Sequence, residues 1–425
     1  MRQEILLHSL CKGRYDKALA ALYGDAAAAR ERAIRLAETF SDSYPDTADA
    51  ILFSAPGRTE LGGNHTDHQH GHVLCASVDM DMLACAAPNG LQVIRLHSEG
   101  YAPLQIDISD LGPQESEKNT TVALIRGVAA RIAALGYPLS GFDACMTSNV
   151  LSGSGLSSSA AFEVLLGNIV NYFFCGGALD SIEIAKISQY AENVYFGKPC
   201  GLMDQMGCSV GGAIAIDFAD PASPVVKKAG YDFDRSGHAL YIIDTGSCHA
   251  DLTDDYAAIP REMGVVAAHF GKNVLREVPE AEFLLAIPAL RRSCGDRAVL
   301  RAMHYYDDDR AAQDEAAALE AGDFERFLTL VNASGNSSAQ LLQNVCPFSN
   351  PREQAVLLSI ALAKKLLQGK GAVRVHGGGF AGTIQAFVPM EMLNAFQQGM
   401  EVVLGEGKCH VLRIRPEGGC VILPE

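Results

Sequence analysis

Apolar and polar positions divide the chain into stretches of different period. Residues 4–40 read as helices, broken near Gly24 and ending before "SDSYPDTAD", and form a polar prelude. "AILFSAP" (50–56), "HVLCASVDMDMLACAA" (72–87), "LQVIRLHS" (91–98) and "PLQIDISD" (103–110) then read as strands. Their alternation is imperfect, but Gly, Pro and Asn bound them. Val122, Ile125, Val128, Ala129 and Ile132 recur at the 3.6-residue period and predict a helix over 120–135. A strand follows at "GFDACMTSNV". The pattern then changes: "LSGSGLSSSAA" leads into an apolar helix over 157–174, and a second helix spans 181–196. "GAIAIDF" (212–218) and "ALYIIDTG" (239–246) read as strands, and helices are predicted over 254–270, 296–320, 323–342 and 351–368. The tail reads as strand "AVRVHGGG", strand "GTIQAFVP", a helix over 390–404, and strand "CHVLRIRP".

This order is α+β. A boundary is expected near 220–235, around "DPASPVVKKAG", dividing the chain into a helical extension (1–48) and two units (49–230 and 231–425). With 425 residues and a soft prior of ~150 per domain, two or three domains are expected. Lys and Arg number 34 against 50 Asp and Glu, a net charge of −16. Basic residues come singly or in pairs, so nucleic acid and anionic membrane are poor partners. The twelve cysteines have neither zinc spacing nor disulfide-scaffold density. "MRQEILLHSLCKGRY" is too charged for a signal peptide, and no run reaches the ~18 apolar residues of a membrane span. A reduced, cytoplasmic protein is expected.

Three segments carry candidate chemistry. In "SGSGLSSSAA" (152–161), glycines let successive N–H groups converge and serines open a helix, where orphan N–H groups and the dipole favour an anion. The same segment could be a plain serine cap after a linker. "HGGGFAG" (376–382) is a second glycine turn, either a tight hairpin or a site of close backbone approach to a ligand. "PCGLMDQMG" places Asp204 among small and apolar neighbours, as a candidate base or as a helix-cap aspartate. A further stretch, "GRTELGGNHTDHQHGHVL" (57–74), packs four histidines around Asp67. On an extended strand His68, His70 and His72 would face one side, as zinc ligands can.

Taken in order, these pieces resemble the galactokinase branch of the GHMP small-molecule kinases. "SAPGRTELGGNHTDH" is similar to the first signature of that family, approximately Gly-Arg-Val-Asn-Leu-Ile-Gly-Glu-His-Thr-Asp-Tyr. "GLSSSA" and "GGGFAG" match the second and third, and "AENVYFGKPCGLMDQ" resembles the segment holding the catalytic aspartate. The resemblance runs from about residue 50 to the C-terminus. It implies a unit like the second domain of ribosomal protein S5 followed by a ferredoxin-like one, with the active site between them. It also implies ATP and Mg²⁺ as cofactors and a small-molecule sugar as partner, phosphorylated on its anomeric hydroxyl. Asp204 takes the position of the base and Arg58 that of the cation beside it. Gly153, Ser154, Gly155, Leu156, Ser157, Ser158 and Ser159 would cradle the phosphates. Ser159 and Glu192 fall where the family binds Mg²⁺. Asn64, His65, Asp67, Gly201 and Tyr256 fall at sugar contacts. A monomer or weak dimer is expected.

The first signature departs from the family at two places used for substrate choice. Asn64 replaces its Glu and His68 its Tyr. In galactokinases that glutamate lies near C6 of the sugar, and Asn there would tolerate a C6 carboxylate. "HTDHQHG" is also similar to galacturonokinases. Galactose and a modified galacto-sugar such as galacturonate are therefore both candidate substrates. A sensor without catalysis and a metalloenzyme built on the histidines are rivals of another class.

Overall fold

The computed structural model describes residues 3–47, 49–151, 154–198, 200–247 and 252–424. Three helices come first: α1 (Gln3–Cys11), α2 (Asp16–Tyr23) and α3 (Ala26–Ser43). Gly24 ends α2 at φ 76, and the Asp25 carboxylate caps α3 by accepting from the N–H groups of Ala27 and Ala28. β1 (Ile51–Gly62) and β2 (His72–Pro88) then form a long antiparallel pair. β1 runs past the expected 50–56, so Arg58 and Glu60 sit on a strand. Register shifts between Pro56 and Arg58 and between Glu60 and Gly62 break the alternation there, as bulges do when they re-aim side chains.

β3 (Val93–Ser98), β4 (Leu104–Asp107), α4 (Thr121–Ala134), β5 (Phe142–Ser148), α5 (Ser158–Phe174) and α6 (Ser181–Tyr190) follow, and α6 continues as a π-helical turn at Ala191–Phe196. α7 (Met203–Val210), β6 (Ala213–Asp217) and β7 (Val225–Ala229) complete this stretch. The first sheet has eight strands in the order β12-β1-β2-β5-β3-β4, with β6 on β2 and β7 on β6; β12 (Cys420–Ile422) comes from the end of the chain. The second sheet has β8 (His238–Asp244), β9 (Ala372–Val375), β10 (Thr383–Pro389) and β11 (Cys409–Leu412) in the order β11-β8-β10-β9. Between β8 and β9 lie α8 (Thr253–His269), α9 (Glu280–Ser293), α10 (Asp296–Glu320), α11 (Phe324–Ser337) and α12 (Ala355–Leu367); α13 (Leu393–Leu404) precedes β11.

Successive side chains of a strand face opposite sides, and here each side has its own cover. Phe53, Ala84 and Ala86 join the core under α4 and α5. Leu52, Leu83 and Cys85 join Leu10, Leu36 and Phe40 of the N-terminal helices. The prelude therefore seals the back of the first sheet. A polar knot pins it there: the fully buried Asp81 accepts from Arg32, from Ser54 and from the Tyr23 hydroxyl at 2.6 Å, and Arg415 lies 3.6 Å away.

Four elements were not expected. β7 lies within the segment whose composition predicts a boundary; its two lysines mark a strand at the sheet's edge. α9 was hidden by its internal Pro288. α7 is only eight residues long and contains Gly207, which it needs because a Cβ there would sit 2.8 Å from the Arg58 Cβ. β12 is three residues long and is held by pairing with β1.

Candidate active site

β1, α7 and the loop before α5 meet at Arg58. Its Nε and Nη2 donate to Asp204 Oδ1 at 2.9 and 2.6 Å, and its Nη1 donates to the Gly155 carbonyl. Its backbone N–H reaches the Leu156 carbonyl at 3.1 Å. Gly57 permits that approach, since a Cβ there would lie 2.7 Å from the same oxygen. Asp204 is in the first turn of α7, and its Oδ2 accepts from Ser157. Burial alone would raise its pKa. The charge of Arg58 and the Ser157 hydroxyl outweigh that and hold the carboxyl below the usual carboxylate range.

The serine loop divides its tasks. Ser157 is left-handed at φ 58, which turns the chain into α5, and Ser158 and Ser159 occupy the first turn of that helix, where N–H groups are free for an anion. Gly155 is exposed, whereas Leu156 is buried in the core and anchors the loop through its side chain. The Ser154 carbonyl accepts from Thr383 at 2.7 Å, tying the loop to β10. Ser152 and Gly153 lie outside the described residues.

A cleft of about 410 Å³ opens beside Asp204. His65 lines it at φ 62; its Nε2 bonds the Gly378 carbonyl at 3.0 Å, and its buried Nδ1 has no partner among the described residues. Burial pushes its pKa down to about 3, so the ring is neutral and Nδ1 is an acceptor. Asp67 Oδ1 accepts from the His68 N–H at 2.9 Å, and a Cβ on Gly201 would lie 2.3 Å from Asp67 Oδ2. Tyr256, from the first turn of α8, stacks obliquely near His65 with centroids 5.2 Å apart, over a Gly378 that has no room for a Cβ. Asn64 is buried and bonded on every side.

Glu192, in the π-helical turn, is also buried. Gln205 donates to its Oε2 at 2.8 Å, and Lys198 is 3.5 Å from its Oε1. The nearby Glu163 Oε1 has no partner among the described residues. Carboxylate and hydroxyl oxygens are the donors that Mg²⁺ prefers. The histidine run has another use: His72 spans Asp309 (Nδ1, 3.0 Å) and Asp217 (Nε2, 3.3 Å), while His70 turns the chain at φ 60. Among the described residues no group of three or more His, Cys, Asp or Glu could hold a metal ion. Among the same residues, no helix is long and apolar enough to cross a membrane.

Two family models match: "GHMP kinases N terminal domain" over residues 123–212 and "Galactokinase galactose-binding signature" over residues 38–88. A galactokinase of Streptomyces coelicolor is 31% identical over 371 residues, covering 86% of this chain and 91% of that protein. The chain belongs to the galactokinase family. It is therefore a phosphotransferase that uses ATP on a sugar acceptor, with the GHMP kinase fold. Lactococcus lactis galactokinase, solved with galactose, superposes with a TM-score of 0.76 at 23% identity, covering 91% of this chain and 98% of that one. L. major mevalonate kinase, solved with R-mevalonate, superposes with a TM-score of 0.59 at 15% identity, covering 88% and 97%.

Five residues of the cleft carried no sequence-based expectation: Glu60, Lys198, Cys200, Met203 and Leu252. Glu60 had a visible signal, because it stands where the family signature has Asn. Ser157 was expected at the phosphates, and its hydroxyl also reaches the carboxylate of Asp204.

Proposed function

We propose that this protein transfers the γ-phosphoryl group of ATP to the anomeric hydroxyl of galactose. The observation that carries the reading is the Arg58–Asp204–Ser157 contact at the mouth of the glycine–serine loop. The anomeric oxygen attacks the γ-phosphorus, the bond to the β-bridging oxygen breaks, ADP leaves, and the hydroxyl proton passes to Asp204. Such transfers rest on positioning and electrostatics. Arg58 keeps Asp204 ionised and offsets charge on the moving group. The N–H groups at the start of α5 receive phosphate oxygens, with Ser158 and Ser159 beside them. His65, Asp67, Gly201 and Tyr256 hold the sugar. Ser159 and Glu192 would hold Mg²⁺, which supplies charge neutralisation to the phosphates when bound. The eleven described cysteines are free thiols, which suits a cytoplasmic setting.

Purified protein with Mg-ATP is expected to release ADP with galactose and to yield the 1-phosphate by phosphorus NMR. N-acetylgalactosamine, galacturonate, arabinose and glucose complete the panel. No turnover with any of them would leave the sensor reading instead.

A further inference from the structure

Asn64 has nothing left to offer a ligand. Its Nδ2 donates to Glu60 Oε1 at 2.9 Å and to the Gly377 carbonyl at 2.8 Å. Its Oδ1 accepts from Asn344 at 2.7 Å and from Ser338 at 3.5 Å. A primary amide has two donor hydrogens and two acceptor lone pairs, and all four are engaged within the protein.

Glu60 is in the opposite condition. It lines the cleft, and its Oε1 takes both the Asn64 amide and Arg374 Nη2 at 2.7 Å. Among the described residues no hydrogen-bond donor is paired with Oε2. The family signature has Asn where this chain has Glu60, and Glu where this chain has Asn64. The two residue types have changed places, and their side chains touch. A carboxylate is thus still present at this end of the cleft, displaced from the turn onto β1.

A third departure fits the same rebuilding. Gly62 stands where the signature has Ile, and a Cβ there would fall 1.7 Å from Glu315 Oε2. The buried Glu315 carboxyl occupies the space of that side chain, and burial pushes its pKa well above the usual range.

We propose that Glu60 is the carboxylate that reads the sugar, accepting a hydroxyl of a neutral galacto-hexose, and that Asn64 positions it. The proposal rests on the sugar-kinase reading and narrows it. A uronate would bring a second carboxylate toward Glu60, so the exchange keeps the discrimination that Asn64 taken alone would have lost.

The test compares wild type, E60Q, N64E and the exchange variant E60N/N64E with galactose and galacturonate. An assay at about pH 8 keeps Glu60 ionised, since burial pushes its carboxyl up to about 7. E60Q is expected to raise the galactose KM about tenfold or more, to leave kcat within a few-fold, and to narrow the preference over galacturonate. N64E alone places two carboxylates side by side and is expected to bind galactose poorly. The exchange variant is expected to recover the galactose KM to within a few-fold. An E60Q protein with wild-type melting, unchanged KM and unchanged preference would overturn the proposal. Where E60Q melts early, the exchange variant decides: a recovered KM supports the proposal, and a KM still about tenfold worse overturns it. A wild type that releases no ADP defeats the kinase reading alone. Glu60 is then judged by the galactose-induced shift in melting, present in wild type and lost in E60Q if it reads the sugar.

Discussion

Arg58 Nη2 lies 2.6 Å from Asp204 Oδ1, joining two residues 146 positions apart. β1 carries one and α7 the other, and Gly207 lets the helix approach the strand closely enough for the bond to form.

Asp204→Asn is expected to lower turnover by about 10²–10⁴-fold, the usual contribution of a positioned base. Galactose binding, followed by calorimetry, should stay within a few-fold. Turnover close to wild type would remove Asp204 from the proton-accepting role.

Arg58→Gln takes the nearest cation from Asp204, whose pKa then rises. As the proposed proton acceptor Asp204 must be ionised, so the acidic limb of the pH–rate profile should move to higher pH, with turnover reduced throughout. An unmoved limb would mean that Asp204 does not set it.

Gly201→Ala places a methyl against Asp67 Oδ2. The expected result is a raised sugar KM with kcat largely kept, since the proposed role of the displaced carboxylate is to hold the sugar ring and not the transferred phosphoryl group. In steady-state kinetics with varied galactose, an unchanged KM would show that Asp67 has no part in binding.

Two buried histidines should govern stability on the acid side. Burial pushes both His65 and His376 down to about 3, whereas an unfolded histidine titrates near ~6.5. Between those values the unfolded chain binds protons that the folded chain does not. Stability therefore falls as pH drops through about 6.5 and levels off below about 3, by on the order of 2 kcal/mol per histidine at about pH 5. Thermal melts of His376→Gln between about pH 7 and 5 should show a shallower slope; an unchanged slope would assign the loss elsewhere.

Asp81→Asn should be strongly destabilising, by about 3–5 kcal/mol, because it leaves Arg32 and Arg415 without their buried counter-charge. Burial would raise the Asp81 pKa, but the two arginines outweigh it and hold it low. Its contribution is thus present above the ordinary carboxylate range and fades as pH falls below it. Denaturant unfolding of the variant with wild-type midpoint would show that the knot does not hold the N-terminal helices.

The sequence by itself determined the α+β order, the serine loop at a helix start and the aspartate segment, because period, glycine placement and ordered motifs are local properties. It also led to the family, and the S. coelicolor relative supports that assignment. Short or edge elements were not legible. β12 and β7 exist through pairing, which local preference does not encode. The N-terminal helices read as a polar prelude, yet their apolar side closes the back of a sheet that begins some distance along the chain. The sequence left the histidine run open to a metal-ligand reading beside the sugar-loop one, and the fold gives His72 two carboxylates from distant segments. Only the tertiary structure decided the meaning of Asn64. A side chain's type is fixed by sequence, but whether its hydrogen-bonding groups remain free depends on neighbours such as Gly377 and Asn344, some 280 residues or more away.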